Sequence, residues 1–127
     1  MPVNIAFRSP CPVASALDVV GDKWSLVVLR TIFAGRHRYR ELADIPERIS
    51  TNILADRLAR LEEFGLVTKR AYQNNPARHE YRLTRAGADM LPILQALANW
   101  SLKHIPDRWG QPGWFANGKP GDFYPAS

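Results

Sequence analysis

The chain has 127 residues, of which 46% are hydrophobic and 23% charged, and its formal net charge at pH 7 is +5. These values are typical of a single globular domain with a hydrophobic core. No apolar run approaches the roughly 18 residues that cross a bilayer, and residues 1–12 lack the apolar region of a signal peptide. We therefore expect a cytoplasmic protein without a membrane partner. A single cysteine excludes an intramolecular disulfide framework.

The positive charge is concentrated in the middle of the chain. Residues 36–85 contain eleven basic and seven acidic side chains, which places +4 of the net +5 in this segment. Thirteen of the seventeen basic residues are arginine, whose planar guanidinium suits bidentate contacts with phosphates and base edges. This distribution indicates a polyanionic partner. Many basic proteins bind no polyanion, so the motifs have to decide.

Two helices are predicted before the basic segment. A short apolar helical pattern runs from Val13 to Val20. Asp22 is placed to cap a second helix that reaches about Ala34, with Gly35 as its stop. The second helix is apolar nearly all round, so it should form the buried centre of the domain.

The central segment contains a helix-turn-helix pattern. A short helix is expected over residues 40–44, followed by a turn. Ser50 can then cap an amphipathic helix whose leucines recur at i, i+4 and i+7 from Leu54. Gly65 can end that helix because it accepts a positive φ.

The side of this helix opposite the leucines is suited to reading DNA. It carries short polar residues at its start and arginines along its flanks, and such a helix fits a major groove. An ordinary surface helix would show the same residues, so the neighbouring elements decide between the two interpretations. We assign candidate DNA contacts to the cap Ser50, to Thr51, Asn52, Ala55 and Asp56 at base edges, and to Arg38, Arg57, Arg60 and Arg78 at phosphates or a minor groove.

The periodicity changes from 3.6 to 2 after Gly65. Residues 66–72 and 79–83 are predicted as two strands, separated by a turn-rich loop over residues 73–78. A hairpin directly after a helix-turn-helix is the wing of a winged helix, with Arg78 near its tip. The predicted fold class is therefore α+β, mostly helical, with a winged helix-turn-helix domain.

A long last helix is expected to begin after the cap Thr84 and to run to about His104, with a local kink at Pro92. Two apolar stripes follow this helix; one can cover its own domain, and the other needs a partner. We therefore predict a homodimer, and a single broad face buried within the monomer is the alternative. The stripe assigned to the dimer interface consists of Met90, Ile93, Leu97 and Trp100.

Irregular extensions are expected on both sides of a domain that spans residues 11–104. Residues 1–10 show no periodicity, and residues 105–127 are rich in proline, glycine and aromatic side chains. Five aromatic side chains follow Asp107, and exposing them to water is unfavourable. This favours an irregular arm that packs over the domain or the dimer, and a disordered tail is the alternative.

Several motifs occur together in a specific order: Cys11-Pro12-Val13, Gly21-Asp22-Lys23-Trp24, residues 38–42, Ile49-Ser50, residues 54–67 and residues 76–84. Over roughly residues 11–104 they resemble the HxlR-type family of winged helix-turn-helix transcription regulators. The resemblance implies a dimeric DNA-binding regulator, usually of genes near its own. It also implies that Cys11 is a candidate sensor of electrophiles or oxidants. The arm is outside the resemblance, and Asp56 replaces the basic or neutral polar residue usual at its position.

The sequence shows no catalytic or metal-binding signature. Its three histidines are far apart and lack metal-ligand spacing, and a Gly-rich phosphate loop, a nucleophile elbow and a carboxylate pair are all absent. We therefore expect no enzymatic activity, no metal and no cofactor.

The sequence thus predicts a homodimeric transcription regulator that binds a pseudo-palindromic DNA operator. Its signal is either a thiol reaction at Cys11 or a small-molecule ligand. Cys11 can be a reactive thiol at a helix N-terminus or an inert, buried hydrophobic residue. The rival function is a winged helix for protein–protein contact, in which the helix that begins after Ser50 carries no DNA.

Overall fold

The computed structural model describes residues 6–126. Two helices, α1 (Pro12–Val20) and α2 (Ser25–Phe33), precede the helix-turn-helix, which consists of α3 (Tyr39–Ala43) and α4 (Thr51–Glu63). A two-stranded antiparallel hairpin follows α4 directly. This is the predicted, mostly helical winged helix-turn-helix fold.

The core is built around α2 and α4. On α2, Val28, Leu29 and Ile32 are at most 1% exposed, and on α4 the predicted leucines Leu54, Leu58 and Leu61 are equally buried. Burying one such side chain stabilises the fold by about 1.5–3 kcal/mol, which is an upper estimate because the unfolded chain is itself partly compact. The prediction that α2 forms the buried centre is confirmed.

Both ends of α4 lie where the sequence places them. The Ser50 hydroxyl accepts a hydrogen bond from the Ile53 N–H at 3.2 Å, which satisfies one free donor of the first turn. At the other end Gly65 has a φ of +79°. The Leu66 N–H can therefore fold back and donate to the Leu61 carbonyl at 2.8 Å, which closes the helix.

The wing is longer than predicted. Strands β1 (Val67–Asn74) and β2 (Ala77–Leu83) extend into residues 73–78, so the expected loop is reduced to Asn75 and a cis Pro76. A bulge at Tyr72 absorbs one extra residue and lets the pairing continue to the tip. Asn74 and Ala77, which pair at the tip, also keep the backbone N–H and carbonyl groups that strand pairing needs.

The expectation of one unbroken helix from Thr84 to His104 is wrong. The chain forms a short α5 (Arg85–Ala88), turns, and begins again as α6 (Leu91–His104). Pro92 lacks the N–H that would bond to the carbonyl four residues earlier, and its ring would clash with that carbonyl. In the first turn of a new helix the same proline is tolerated. No helix within residues 6–126 has the length and apolar character needed to cross a bilayer.

The aromatic segment packs on its own domain. It contains α7 (Gly113–Ala116) and one 3₁₀ turn (Pro120–Phe123), joined by irregular chain. Phe115 is 5% exposed and belongs to the core, and the Phe123 ring meets the Phe33 ring edge-on with 5.0 Å between centroids. Of the two alternatives for this segment, the structure shows the packed arm.

Candidate nucleic-acid interface

The first two turns of α4 present one exposed polar side. Ser50 caps the helix through its hydroxyl. The predicted base-contacting residues are all exposed beyond it, namely Thr51, Asn52, Ala55 and Asp56. This side lies opposite the buried leucines, so base edges could approach it without disturbing the core.

Helix α3 holds the start of α4 in place. The Tyr39 hydroxyl donates to the Thr51 carbonyl at 2.7 Å. At the N-terminus of α3 the Glu41 carboxylate accepts from the N–H groups of Arg38 at 3.0 Å and His37 at 3.2 Å. These backbone hydrogen bonds lower the pKa of Glu41. Its negative charge is therefore engaged at the N-terminus of α3.

A groove of about 880 Å³ separates α3 from the wing, and we call it the wing groove. It is lined by both Arg38 and Arg78, each of which is predicted from the sequence to contact phosphates or a minor groove. Glu41 is the only carboxylate among its lining residues, whereas four of them carry a full positive charge: Arg38, Arg40, Lys69 and Arg78. The wing groove is therefore strongly basic, as a phosphate-binding surface requires.

Tyr72 is a wing-groove residue that the sequence analysis missed. The Arg38 guanidinium lies 4.0 Å from the centroid of the Tyr72 ring, in cation–π contact. The bulge at Tyr72 interrupts the regular alternation of side chains between the two faces of the strand. The face on which Tyr72 lies could therefore not be predicted from a period of two. An aromatic residue in an otherwise polar strand was the available signal.

The other two candidate arginines lie outside the wing groove. The Arg57 guanidinium donates to the Asp22 carboxylate, with 2.7 Å between Nε and Oδ2, and also pairs with Asp56. The hydrogen bond that Arg57 donates to Asp22 and the nearby negative charges raise the pKa of Arg57. The Arg60 guanidinium lies over the Phe64 ring at 5.7 Å, on the last turns of α4.

The histidines do not form a metal site. His37 places Nδ1 at 3.1 Å from the Tyr81 carbonyl, and its pKa is lowered by burial and by the positive charge of Arg82. His79 lines the wing groove. Within residues 6–126, no three His, Cys, Asp or Glu side chains lie close enough together to hold a metal ion.

Helix α6 leaves one apolar stripe uncovered. Leu91 and Leu94 face the core and are buried, and Met90, just before the helix, is partly buried against the same core. The rest of the stripe assigned to a partner is exposed, up to 60% for Trp100. Helix α1 is also poorly covered. The exposed apolar residues of the two helices are Val13, Leu17, Ile93, Leu97 and Trp100.

Cys11 lies immediately before α1 and is exposed. Its N–H donates to the Ser9 hydroxyl at 3.2 Å. The thiol is therefore not a buried hydrophobic residue in this structure.

Residues 19–108 match the sequence profile of HxlR-like helix-turn-helix proteins. The chain belongs to this family. It is 39% identical over 103 residues to MT3179 of Mycobacterium tuberculosis, which is named an uncharacterized HTH-type transcriptional regulator. That match covers 79% of this chain and 63% of the relative, so the chain spans less than two thirds of the length of this relative.

Two solved structures extend the HxlR-like comparison. PA1607, described as a candidate transcription factor, has a TM-score of 0.72 and 33% identity over 94% of this chain and 91% of its own. The redox regulator HypR in its oxidized form has a TM-score of 0.64 and 33% identity over 74% of this chain and 97% of its own. The predicted family is confirmed. Helix α4 and the wing lie inside the matched residues, whereas Cys11 and most of the arm lie outside them.

Proposed function

We propose that this protein is a transcription regulator that binds a specific DNA sequence as a homodimer. The observation that carries this proposal is the exposed polar start of α4 beside the basic wing groove. Each monomer would place α4 in a major groove, and the wing would reach the adjacent phosphates or minor groove. Two-fold symmetry then requires a pseudo-palindromic operator with half-sites about one helical turn apart, or a multiple of that spacing.

The two surfaces divide the work. Thr51, Asn52 and Ala55 would face base edges, and Asp56 could accept a hydrogen bond from cytosine N4. The wing groove would contact the phosphates, and the Arg38 guanidinium lies there in cation–π contact with Tyr72. Arg57 is already paired with Asp22. It would therefore contribute to DNA binding by holding α4 in place rather than by contacting a phosphate.

The homodimer is supported by the uncovered apolar residues of α1 and α6. Isolated exposed apolar residues are normal, but a stripe on one helix together with a second exposed pair on another is typical of an interface. We infer that the two helices meet their counterparts across the two-fold axis. A stable contact of this kind buries about 1,000 Å² or more.

The signal proposed for this regulator is a reaction at Cys11. An exposed thiol ahead of a helix N-terminus is accessible to oxidants and electrophiles. HypR, which resembles this chain in fold, is named a redox regulator. Control by a small-molecule ligand is the second candidate.

Titration of labelled promoter DNA at several salt concentrations tests the central proposal. A DNA-binding regulator releases counterions, so its affinity must fall steeply as salt rises, by a log–log slope of about 0.9 per phosphate contacted. The rival is a winged helix that contacts another protein through the same surface. Absent or salt-independent DNA binding would favour that rival.

A further inference from the structure

The two faces of the wing border different spaces. Directly opposite residues of an antiparallel pair share a face, so Thr68 and Arg82 lie on the same side as Arg70 and Glu80. Lys69, which lines the wing groove, lies on the other side. The face with the two arginines is turned towards the C-terminal arm.

A cleft of about 500 Å³ lies between this face and the last described residues, and we call it the arm cleft. Its size is within the range of sites for small organic ligands. The floor of the arm cleft is apolar and consists of Ile32, Phe33, Leu83 and Phe123. Its polar rim includes Thr68, Arg70 and Arg82.

The rim carries an excess of positive charge. Arg70 and Arg82 share one carboxylate, that of Glu80, at 3.1 and 3.2 Å. Their side chains are 65% and 43% exposed, whereas the Glu80 side chain is only 12% exposed. Two guanidinium groups therefore face the cleft with one carboxylate between them. They keep free N–H donors for an incoming anion.

The C-terminal arm, which forms one wall of the cleft, is anchored to its own domain by hydrogen bonds. The Gln95 side-chain amide donates to the carbonyls of Phe115 and Gly118, each at 2.8 Å. The Tyr124 hydroxyl donates to the Asp89 carboxylate at 2.5 Å. These hydrogen bonds anchor the arm to its own domain, so ordering the arm would add little to the cost of binding a ligand.

We propose that the arm cleft binds a small organic carboxylate with an apolar body, such as an aromatic acid. The apolar floor would cover the ring, and Arg70 and Arg82 would receive the carboxylate as charge-assisted, bidentate hydrogen bonds. An inorganic anion has no apolar group to contact the floor, and a neutral aromatic ring has no negative charge to pair with the arginines of the rim. The family match ends at residue 108, so the arm side of the cleft, from Phe123 to Ala126, is outside the matched residues.

The test uses the whole protein and benzoate as the probe, followed by NMR chemical shifts or calorimetry. We expect saturable binding of benzoate and binding of its neutral isostere benzamide that is weaker by about tenfold or more. Arg82→Gln and Arg70→Gln should each reduce benzoate affinity by about tenfold. Arg108→Gln, which changes an exposed arginine outside the cleft, should leave it unchanged.

A further substitution, at Thr68, separates loss of the ligand contact from any disturbance of the wing caused by the arginine changes. Thr68→Phe retains both arginines but fills the mouth of the cleft, and it should also abolish benzoate binding. Equal affinity for benzoate and benzamide, retention of binding in Arg70→Gln/Arg82→Gln, or no binding at millimolar benzoate would each overturn the proposal. The proposed ligand site does not depend on DNA binding. A protein that bound benzoate but no DNA would support the arm cleft as a ligand site and contradict the proposed regulator.

Discussion

Arg57 on α4 and Asp22 ahead of α2 form an ion pair whose Nε and Oδ2 atoms are 2.7 Å apart, and their side chains are only 22% and 19% exposed. The same carboxylate accepts from the N–H groups of Trp24 and Ser25, at 2.9 and 3.0 Å, and so caps α2. One side chain therefore ties the buried central helix to the helix proposed to enter DNA. The orientation of α4 depends on this tie as well as on its leucines.

Replacing Asp22 by asparagine should destabilise the fold in a pH-dependent way. Burial alone raises the pKa of Asp22, but hydrogen bonds from the Ser25 hydroxyl, the Trp24 N–H and Arg57 lower it to about 2. Since the folded pKa is below the ordinary 3.8, the stabilisation is present above that value and is lost as pH falls towards 2. We expect Asp22→Asn to lower the free energy of unfolding by about 2 kcal/mol at neutral pH. In urea denaturation the difference from the wild type should shrink at about pH 3.

Asp18→Asn is the matched control, since Asp18 pairs with Arg8, whose side chain is 66% exposed. An ion pair that is open to water on one side contributes less than about 1 kcal/mol. Equal losses in the two variants would show that the pair between Asp22 and Arg57 has no special role.

Asn52→Ala should relax base preference at one operator position. An amide that reads a base edge contributes about 1–3 kcal/mol of discrimination, and alanine cannot replace it. Selection of binding sites from a randomised operator library would show the loss at a single position in each half-site. Glu63→Ala, a change at the exposed far end of α4, should leave the preference unchanged. Unaltered preference in Asn52→Ala would mean that this side of α4 does not read bases.

Arg78→Ala should weaken binding to all DNA sequences by a similar factor. Its guanidinium lines the wing groove, so its loss removes a phosphate or minor-groove contact. The slope of log affinity against log salt should decrease by about 0.9, as expected for one phosphate. Arg108→Ala removes the same charge from the arm and should change neither quantity. If Arg78→Ala binds DNA as the wild type does, the wing does not contact it.

The parts of the fold that the sequence predicted correctly depend on local signals. The cap at Ser50, the leucine spacing and the stop at Gly65 all act within one helix, so no distant information was needed to place α4. Pro92 is also a local signal, but a proline within a helical pattern can either kink the helix or end it, and the local pattern does not distinguish the two. In this chain the preceding helix ends before Pro92, which lies in the first turn of α6.

The parts that the sequence could not predict depend on long-range contacts. The sequence predicts a phosphate contact for Arg57, because no local pattern indicates its partner Asp22, 35 positions away in the chain. The wing groove likewise brings together Arg38, which precedes α3, and Tyr72 on β1, which are far apart in the chain. The arm gave no periodicity at all, and Phe115 is buried because the core offers it a site rather than because of a local pattern.

The homodimer can be tested at Trp100. Trp100→Glu would place a charge in an apolar contact, so the protein should become monomeric in sizing chromatography or sedimentation at micromolar concentration. Because one half-site alone binds weakly, operator affinity should fall as well. Tyr72→Glu is a matched change of an exposed aromatic residue on the wing, and it should remain dimeric. A wild-type protein that is already monomeric at this concentration contradicts the proposed dimer.

The response of Cys11 can be tested with diamide. As the only cysteine of the chain it cannot form a disulfide within one monomer. Diamide would take up the two thiol hydrogens of a Cys11 pair and join their sulfurs across the dimer. Such a bridge would fix the spacing of the two α1 helices and, through the dimer, that of the two α4 helices. A few ångströms of mismatch with the half-site distance would reduce operator affinity.

We therefore expect diamide to weaken operator binding by the wild type and to leave Cys11→Ser unaffected. Non-reducing electrophoresis and mass spectrometry would show whether the product is a Cys11–Cys11 bridge. In a second arm, a quinone or an aldehyde would form an adduct on the same sulfur without bridging it. Loss of binding with the adduct as well as with the bridge would show that modification of the sulfur is enough. Identical behaviour of the two proteins under every reagent would make Cys11 structural, because a sensor thiol cannot be removed without removing its response.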